Sequence, residues 1–122
     1  NLSGQSVKLL ARSYKLEPKN LIIIHDDIDL PLGKIRISVS KGSAGHKGVE
    51  SIIKELRTKN FIRFRIGILP KIEKLKNPEN FVLQKFNKEE KKIVKEVTQK
   101  TIGAVETLLK EGLEKAMTKF NK

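Results

Sequence analysis

Apolar residues recur every three to four positions in three stretches of the chain, a spacing that places them on one face of an α-helix. The first stretch predicts a helix over residues 3–14, and the second predicts a helix that begins near Val49. The third covers residues 87–110 and opens on Asn87 and Glu90, a pair typical of the capping box at a helix N-terminus. Gly112 ends this pattern, and we expect one or two further helical turns after it, over residues 113–120.

Three shorter stretches predict β-strands. Residues 21–24 form an uninterrupted apolar run, which is typical of a strand buried on both faces. Residues 34–40 and 61–68 instead alternate, with isoleucine, valine and phenylalanine on one face and mainly lysine, arginine and serine on the other. That alternation predicts half-buried strands with a basic face in contact with solvent.

The order of these elements is helix, strand, strand, helix, strand, helix, which predicts an α/β fold. We expect a single domain in which helices pack on a mixed β-sheet, with a helical C-terminal region. Three strands are few for a sheet that contains a doubly buried strand. We therefore expect N-terminal strands that are missing from this chain, or strands of a partner, to complete the sheet.

Composition narrows the class of protein. The 122 residues contain no cysteine, which excludes a disulfide framework and a thiolate metal site. No apolar run approaches the roughly 20 residues needed to span a bilayer. The chain opens on a polar NLSGQS sequence without the features of a signal peptide. We therefore expect a cytoplasmic protein that does not enter a membrane.

Positive charge is concentrated in the middle of the chain. The net charge is +12, and residues 34–76 alone carry twelve basic and three acidic side chains, a net +9. A field of this kind attracts phosphate chains and speeds their encounter with the protein. The alternative is a lysine-rich surface that only keeps the protein soluble, but the clustering beside a glycine-rich turn favours nucleic acid.

Several candidates for chemistry follow the first predicted strand. Asp26 stands at its end, where a carboxylate can hold a histidine in one tautomer and stabilise its protonated form. The alternative is that Asp26 caps a turn or a helix. Asp27 and Asp29 are expected to serve the turn before Pro31, and His25 is expected to be structural and hydrogen-bonded. No metal site is expected, because adjacent strand residues point to opposite faces.

His46 lies in the glycine-rich turn over residues 42–48, just before the second predicted helix. Backbone amides at a helix start can bind an anion or developing negative charge, although helix packing alone can also explain the glycines. Arg36 and Arg65 each lie in the middle of an alternating strand. If the two strands are neighbours, these side chains would form a phosphate clamp; the alternative is ordinary solvated charge.

Five motifs stand in order along the chain and together resemble the bacterial-type peptidyl-tRNA hydrolase family over residues 1–122. The resemblance implies cleavage of the ester between a stalled peptide and the tRNA 3′ end, by an enzyme that needs no metal or cofactor and usually acts as a monomer. It also implies a general-base histidine in an N-terminal TRHN-like segment, which these residues do not include. The chain thus resembles the C-terminal two thirds of the enzyme, N-terminally truncated and nearly inactive alone. The motifs are NLSG at 1–4, HDDIDLP at 25–31, GSAGHKG at 42–48, RFRIGI at 63–68 and AMTKFN at 116–121.

The resemblance assigns roles to five of these residues. Asp26 matches the aspartate that orients the catalytic histidine. Asn1 matches an asparagine that binds the peptidyl-tRNA end, and His46 matches a histidine of the substrate pocket. Arg36 and Arg65 match basic positions that hold acceptor-stem phosphate.

Lys47 departs from the family, which usually has an asparagine there to help place the water or the substrate carbonyl. A lysine can donate a hydrogen bond but cannot accept one. This departure and the absent base favour an alternative, a non-catalytic RNA-binding relative of the same fold, whereas Asp26 and His46 favour the enzyme. A basic ribosome-associated structural module would explain the charge but not the motifs.

Overall fold

A computed structural model describes residues 2–69 and 87–122 of the chain. Asn1 and the connection over residues 70–86, where a short helical turn is predicted at 80–86, lie outside the described residues. The described helices are α1 (Ser3–Ser13), α2 (Lys47–Leu56), α3 (Lys88–Glu111) and α4 (Leu113–Phe120), and the strands are β1 (Ile22–Pro31), β2 (Ile35–Val39) and β3 (Ile62–Leu69).

The three strands form one sheet in the order β1, β3, β2. The N–H of Ile62 donates to the carbonyl of Leu21 at 3.0 Å at one end of the β1 and β3 pair. The N–H of Leu32 donates to the carbonyl of Leu69 at 2.7 Å at the other end, so these two strands are parallel.

β2 and β3 run in opposite directions. The N–H of Gly67 donates to the carbonyl of Lys34 at 2.8 Å, just before β2 begins. The side chain of Arg63, four residues earlier in β3, reaches the carbonyl of Gly42, which follows β2. The sheet is therefore mixed, and the predicted α/β class is confirmed.

The prediction for the first strand is wrong in both its extent and its burial. β1 is ten residues long and continues through the three aspartates to Pro31. Ile24, inside the apolar run, is 54% exposed. Among the described residues β1 pairs with β3 alone. An apolar run indicates a strand, but it does not tell whether that strand has a neighbour on each side.

The two alternating strands are confirmed, but their polar faces are not uniformly in contact with solvent. Ile35 and Ile37 are buried and Arg36 is exposed, as the alternation predicts. Ser38 and Arg63 are nevertheless only 4% and 3% exposed. Arg63 is covered by the loop that follows β2, because its Nη2 donates to the carbonyl of Gly42 at 2.9 Å.

One compact unit contains the residues up to Ile23 together with Ser38–Arg63. Helices α1 and α2 pack against each other here because Gly4 has no side chain: a Cβ at that position would collide with the carbonyl oxygen of Ser51. The spacing of apolar residues in α1 predicts one buried face that includes Leu10, Ala11 and Tyr14. Ala11 is buried, but Leu10 and Tyr14 are 58% and 72% exposed. The buried apolar residues of this unit are Ala11, Val49, Ile52 and Phe61.

The other compact unit contains Ile24–Ile37 and the described residues from Phe64 onward. The capping box at the start of α3 is confirmed, with both of its hydrogen bonds present. The side-chain amide of Asn121 accepts from the N–H of Ile37 at 2.7 Å and donates to its carbonyl at 2.9 Å, which fixes the C-terminal residues to β2. The buried apolar residues here are Leu32, Ile35, Ile37, Phe64, Val97, Ala104 and Ala116.

Helix α3 runs without interruption past Gly103 and ends at Glu111, so the prediction that Gly112 ends the apolar pattern is confirmed. Leu109, predicted to lie on its apolar face, is 75% exposed. Within the part of the chain that the structure describes, no helix combines the length and the apolar character that crossing a bilayer requires.

Candidate functional site

Asp26 lies in the middle of β1 and is half-buried. The expectation that it ends the strand is therefore wrong, and its candidacy no longer rests on a strand terminus. His25 Nδ1 lies 2.7 Å from the backbone carbonyl oxygen of Asp26. A carbonyl only accepts, so Nδ1 donates, and the predicted hydrogen bond of His25 is confirmed, whereas its structural role stays a prediction.

Asp27 and Arg65 form an ion pair that the sequence did not predict. Asp27 belongs to β1 and not to the turn that follows it. Its Oδ2 accepts from Arg65 Nε at 2.8 Å, and its Oδ1 accepts from the N–H of Asp29 at 2.8 Å. The Arg65 and Asp27 side chains are 21% and 11% exposed. The pairing was missed because the parallel contact between β1 and β3 joins residues 38 positions apart.

Arg36 and Arg65 lie on adjacent strands, as predicted, but in different surroundings. The bond between Gly67 and Lys34 sets the antiparallel register, which places Arg36 opposite Arg65. Arg36 is exposed, whereas Arg65 is half-buried and bound to Asp27. Both positions can thus present positive charge on one face of the sheet, and Asp27 holds Arg65 in place.

His46 is the N-cap of α2. Its Nδ1 accepts from the N–H of Val49 at 3.2 Å, so Nε2 carries the ring proton in the neutral histidine. This confirms the predicted position of His46 at the junction of the glycine-rich turn and the helix. Lys47 is the first residue of α2 and is exposed. The N-terminus of α2 therefore combines a capping imidazole, a lysine and the positive end of a helix dipole.

The start of α1 lies against the start of α2. The N–H of Gly4 donates to Ser51 Oγ at 2.9 Å, which satisfies one of the amides that a helix leaves unpaired in its first turn. A Cβ on Gly48 would lie 3.0 Å from His46 Cε1 and 3.7 Å from Ser3 Oγ. The absence of a side chain at Gly48 thus allows the imidazole to fold back over the helix start.

A buried arginine anchors the glycine-rich turn. Arg63 is 3% exposed, and its Nη2 donates to the carbonyl of Gly42 at 2.9 Å. On the same loop, Ser40 Oγ donates to Asn60 Oδ1 at 3.2 Å. The alternation of β3 predicts that Arg63 faces solvent, and no local signal in the sequence distinguishes it from Arg65.

The predicted site residues fall into both compact units. His46 and Lys47 belong to the unit that contains α1 and α2, whereas Asp26, Arg36 and Arg65 belong to the other. Among residues 2–69 and 87–122 no group of three or more histidine, cysteine, aspartate or glutamate side chains is placed to hold a metal ion.

Comparison with known proteins adds an independent line of support. The family model described as peptidyl-tRNA hydrolase matches residues 1–122. A peptidyl-tRNA hydrolase of Pseudothermotoga lettingae is 42% identical over 121 residues, which are 99% of this chain and 64% of that protein. A peptidyl-tRNA hydrolase of Clostridium botulinum is 42% identical over 122 residues, which are 99% of this chain and 62% of that protein.

A solved structure of the same family has a similar fold. The crystal structure of peptidyl-tRNA hydrolase from Acinetobacter baumannii superposes with a TM-score of 0.86 at 30% sequence identity. The superposition covers 98% of this chain and 60% of that protein. The chain thus spans less than two thirds of the length of each of these three proteins.

Proposed function

The chain belongs to the peptidyl-tRNA hydrolase family, and from that premise we propose that it serves to hydrolyse the ester bond of peptidyl-tRNA, returning tRNA to translation in the cytoplasm. The observation that carries this proposal is the match of the family model to residues 1–122. The net charge of +9 over residues 34–76 supports a polyanionic substrate independently of any relative.

Asp26 is proposed to act through a histidine that is not among these 122 residues. In the reaction, the histidine takes a proton from water as the water oxygen attacks the ester carbonyl. The C–O bond to the tRNA 3′ oxygen then breaks, and the imidazolium returns its proton to that oxygen. The carboxylate of Asp26 holds the imidazole and stabilises its protonated form. The half-buried position of Asp26 supports this role, because partial burial strengthens its attraction for an imidazolium.

The N-terminus of α2 is proposed to bind the peptidyl end of the substrate, together with Asn1. His46 Nδ1 accepts from the N–H of Val49, so Nε2 carries the proton of the neutral ring and is the nitrogen through which this imidazole donates. Lys47 adds a positive charge at the same helix end. Donors in this arrangement suit the negative charge that develops on the carbonyl oxygen during attack.

Arg36 and Arg65 are proposed to contact phosphates of the acceptor stem. Their opposite positions on β2 and β3 support a shared role, since a duplex presents successive phosphates along each strand. We further propose that the protein acts as a monomer and that the reaction needs no metal or cofactor. Turnover is accordingly expected to persist in EDTA.

The decisive experiment measures hydrolysis of N-acetyl-aminoacyl-tRNA. The 122 residues alone are expected to be nearly inactive, and turnover is expected when they are joined to the part of the Pseudothermotoga lettingae relative that they do not match. In that fusion, Asp26→Asn should lower turnover by about 10²–10⁴ with little change in KM, because an amide cannot stabilise an imidazolium.

Asp29→Asn is the matched control, since Asp29 lies on the same strand and is exposed. It should leave turnover within about twofold of the parent, as expected for a surface residue away from the reaction. Equal rates in the two variants would remove Asp26 from the mechanism. A fusion that folds and binds tRNA but never hydrolyses it would favour the alternative of a non-catalytic RNA-binding protein.

A further inference from the structure

The ion pair between Asp27 and Arg65 is held at both ends. Asp27 Oδ2 accepts from Arg65 Nε, and Asp27 Oδ1 accepts from the N–H of Asp29, each at 2.8 Å. The second bond fixes the carboxylate relative to the β1 backbone. The carboxylate in turn fixes the plane of the guanidinium, so Arg65 is constrained more tightly than an arginine on an open surface.

The bond to Asp27 uses the Nε–H of the Arg65 guanidinium and does not use its two terminal nitrogens. An arginine offers five N–H donors in a planar fork, of which Nε supplies one and the two terminal nitrogens supply four. In the described part of the chain, Arg65 makes no hydrogen bond through these terminal nitrogens. The side chain is 21% exposed, so it reaches solvent while Nε remains on the carboxylate. The edge formed by the terminal nitrogens suits two oxygens of one phosphate.

Two effects of Asp27 on phosphate binding have opposite signs. Its negative charge reduces the positive field of Arg65 and so weakens the attraction for RNA. Its hydrogen bond fixes a side chain that would otherwise lose rotamer freedom on binding, and this strengthens the attraction. Water and salt screen the charge effect near the surface. The ion pair that fixes the geometry is screened much less, because both of its side chains are mostly buried and in direct contact.

We propose that Asp27 is a positioning residue for RNA binding, which holds Arg65 through Nε so that its terminal nitrogens grip a backbone phosphate. This inference rests on the proposed function, because it assumes that Arg65 contacts the tRNA. Asp27 lies next to Asp26 on β1, and adjacent residues of a strand point to opposite faces. Asp27 therefore acts on the phosphate backbone and not on the histidine that Asp26 would orient.

The test compares the affinity of the 122-residue protein for an RNA minihelix that reproduces a tRNA acceptor stem. Asp27→Ala is expected to weaken binding by about five- to tenfold, the scale of one lost charge-assisted hydrogen bond at a partly exposed site. Asp29→Ala is the control, since it removes the same charge from the same strand face while leaving the pair with Arg65 intact. That variant should bind as tightly as the parent or more tightly.

Asp27→Asn separates geometry from charge. The amide oxygen of asparagine can still accept from Arg65 Nε, so this variant should bind more tightly than Asp27→Ala. In an Arg65→Ala background, Asp27→Ala should no longer weaken binding, because the side chain it positions is absent. The Asn variant also controls for folding, and thermal unfolding is measured for each protein.

Three results are possible and each decides the question. The positioning role is supported if the Asp27→Ala protein binds RNA more weakly than the Asp29→Ala protein and if this difference disappears in the Arg65→Ala background. If Asp27→Ala and Asp27→Asn both bind RNA as tightly as the parent protein or more tightly, the loss of negative charge explains the result. The positioning role is then overturned, while the RNA contact of Arg65 stays in place. No effect of Arg65→Ala alone removes that contact from the proposed function, and the positioning role is overturned with it.

Discussion

Lys47 stands where the resemblance described in the sequence implies an asparagine, and two substitutions there separate a binding role from a surface role. Lys47→Asn restores a neutral donor and acceptor and should keep or raise turnover in the fusion protein. Lys47→Ala removes the donor, and the loss of one donor to a developing oxyanion costs about 10²–10³ in turnover. Hydrolysis of N-acetyl-aminoacyl-tRNA is the measurement.

The control for Lys47 is Lys54→Ala, because Lys54 is also an exposed lysine of α2 but lies near its other end. It should behave as the parent. If Lys47→Asn and Lys47→Ala both match this control, then Lys47 lies outside the substrate site and only adds to the surface charge.

Arg63 is buried and holds the glycine-rich turn over residues 42–48, which contains His46. Arg63→Ala should lower the free energy of unfolding by about 2–3 kcal/mol, since it leaves the carbonyl of Gly42 without its donor and opens a gap in the packing. Arg36→Ala, an exposed arginine on the neighbouring strand, should change it by less than about 0.5 kcal/mol. Urea unfolding of both variants is the measurement. Equal values would mean that the bond to Gly42 contributes nothing to stability.

At the scale of the element, the packing of α1 on α2 depends on a glycine. Gly4→Ala improves the intrinsic helix propensity of α1, but its Cβ would collide with the carbonyl oxygen of Ser51. A backbone atom within a helix cannot move aside cheaply, so we expect a net loss of about 1–3 kcal/mol of stability. The same displacement should disturb the N-terminus of α2 and the cap that His46 provides.

Gly103→Ala is the matched control, because Gly103 is also a helical glycine. A Cβ there would meet only Phe120 Cζ at an ordinary contact distance of 3.8 Å. This variant should raise stability by about 0.5–1 kcal/mol through helix propensity alone. Thermal unfolding of both variants decides the matter: a stabilised Gly4→Ala protein would show that the two helices are not in close contact.

At the scale of the whole molecule, the uneven charge should control RNA binding. If Arg36 and Arg65 each contact one phosphate, Arg36→Ala with Arg65→Ala should flatten the slope of log K against log salt by roughly 1.4–1.8, at about 0.7–0.9 per phosphate. Removing Lys100 and Lys110 from α3 takes away the same charge outside the basic segment, and should flatten it less. Equal slopes for the two double variants would mean that only net charge matters.

Much of the local structure could be predicted from the sequence, because it depends on neighbours within a few residues. The capping box depends on Asn87 and Glu90, three positions apart, and both of its bonds are present. The alternation around Ile35 and Ile37 likewise reports a strand with one buried face. The family motifs also appear in the sequence directly, because they are short runs whose residue types can be compared one by one.

Contacts between residues far apart in the chain could not be predicted from the sequence and are seen only in the tertiary structure. The parallel pairing of β1 with β3 brings Asp27 to Arg65, and burial turns Arg63 from a predicted surface charge into an anchor of the glycine-rich turn. An arginine on an alternating strand has the same local sequence whether water, a carboxylate or a carbonyl faces it. Periodicity reports which residues share a face, whereas the partner on that face depends on strand order, which local interactions do not determine.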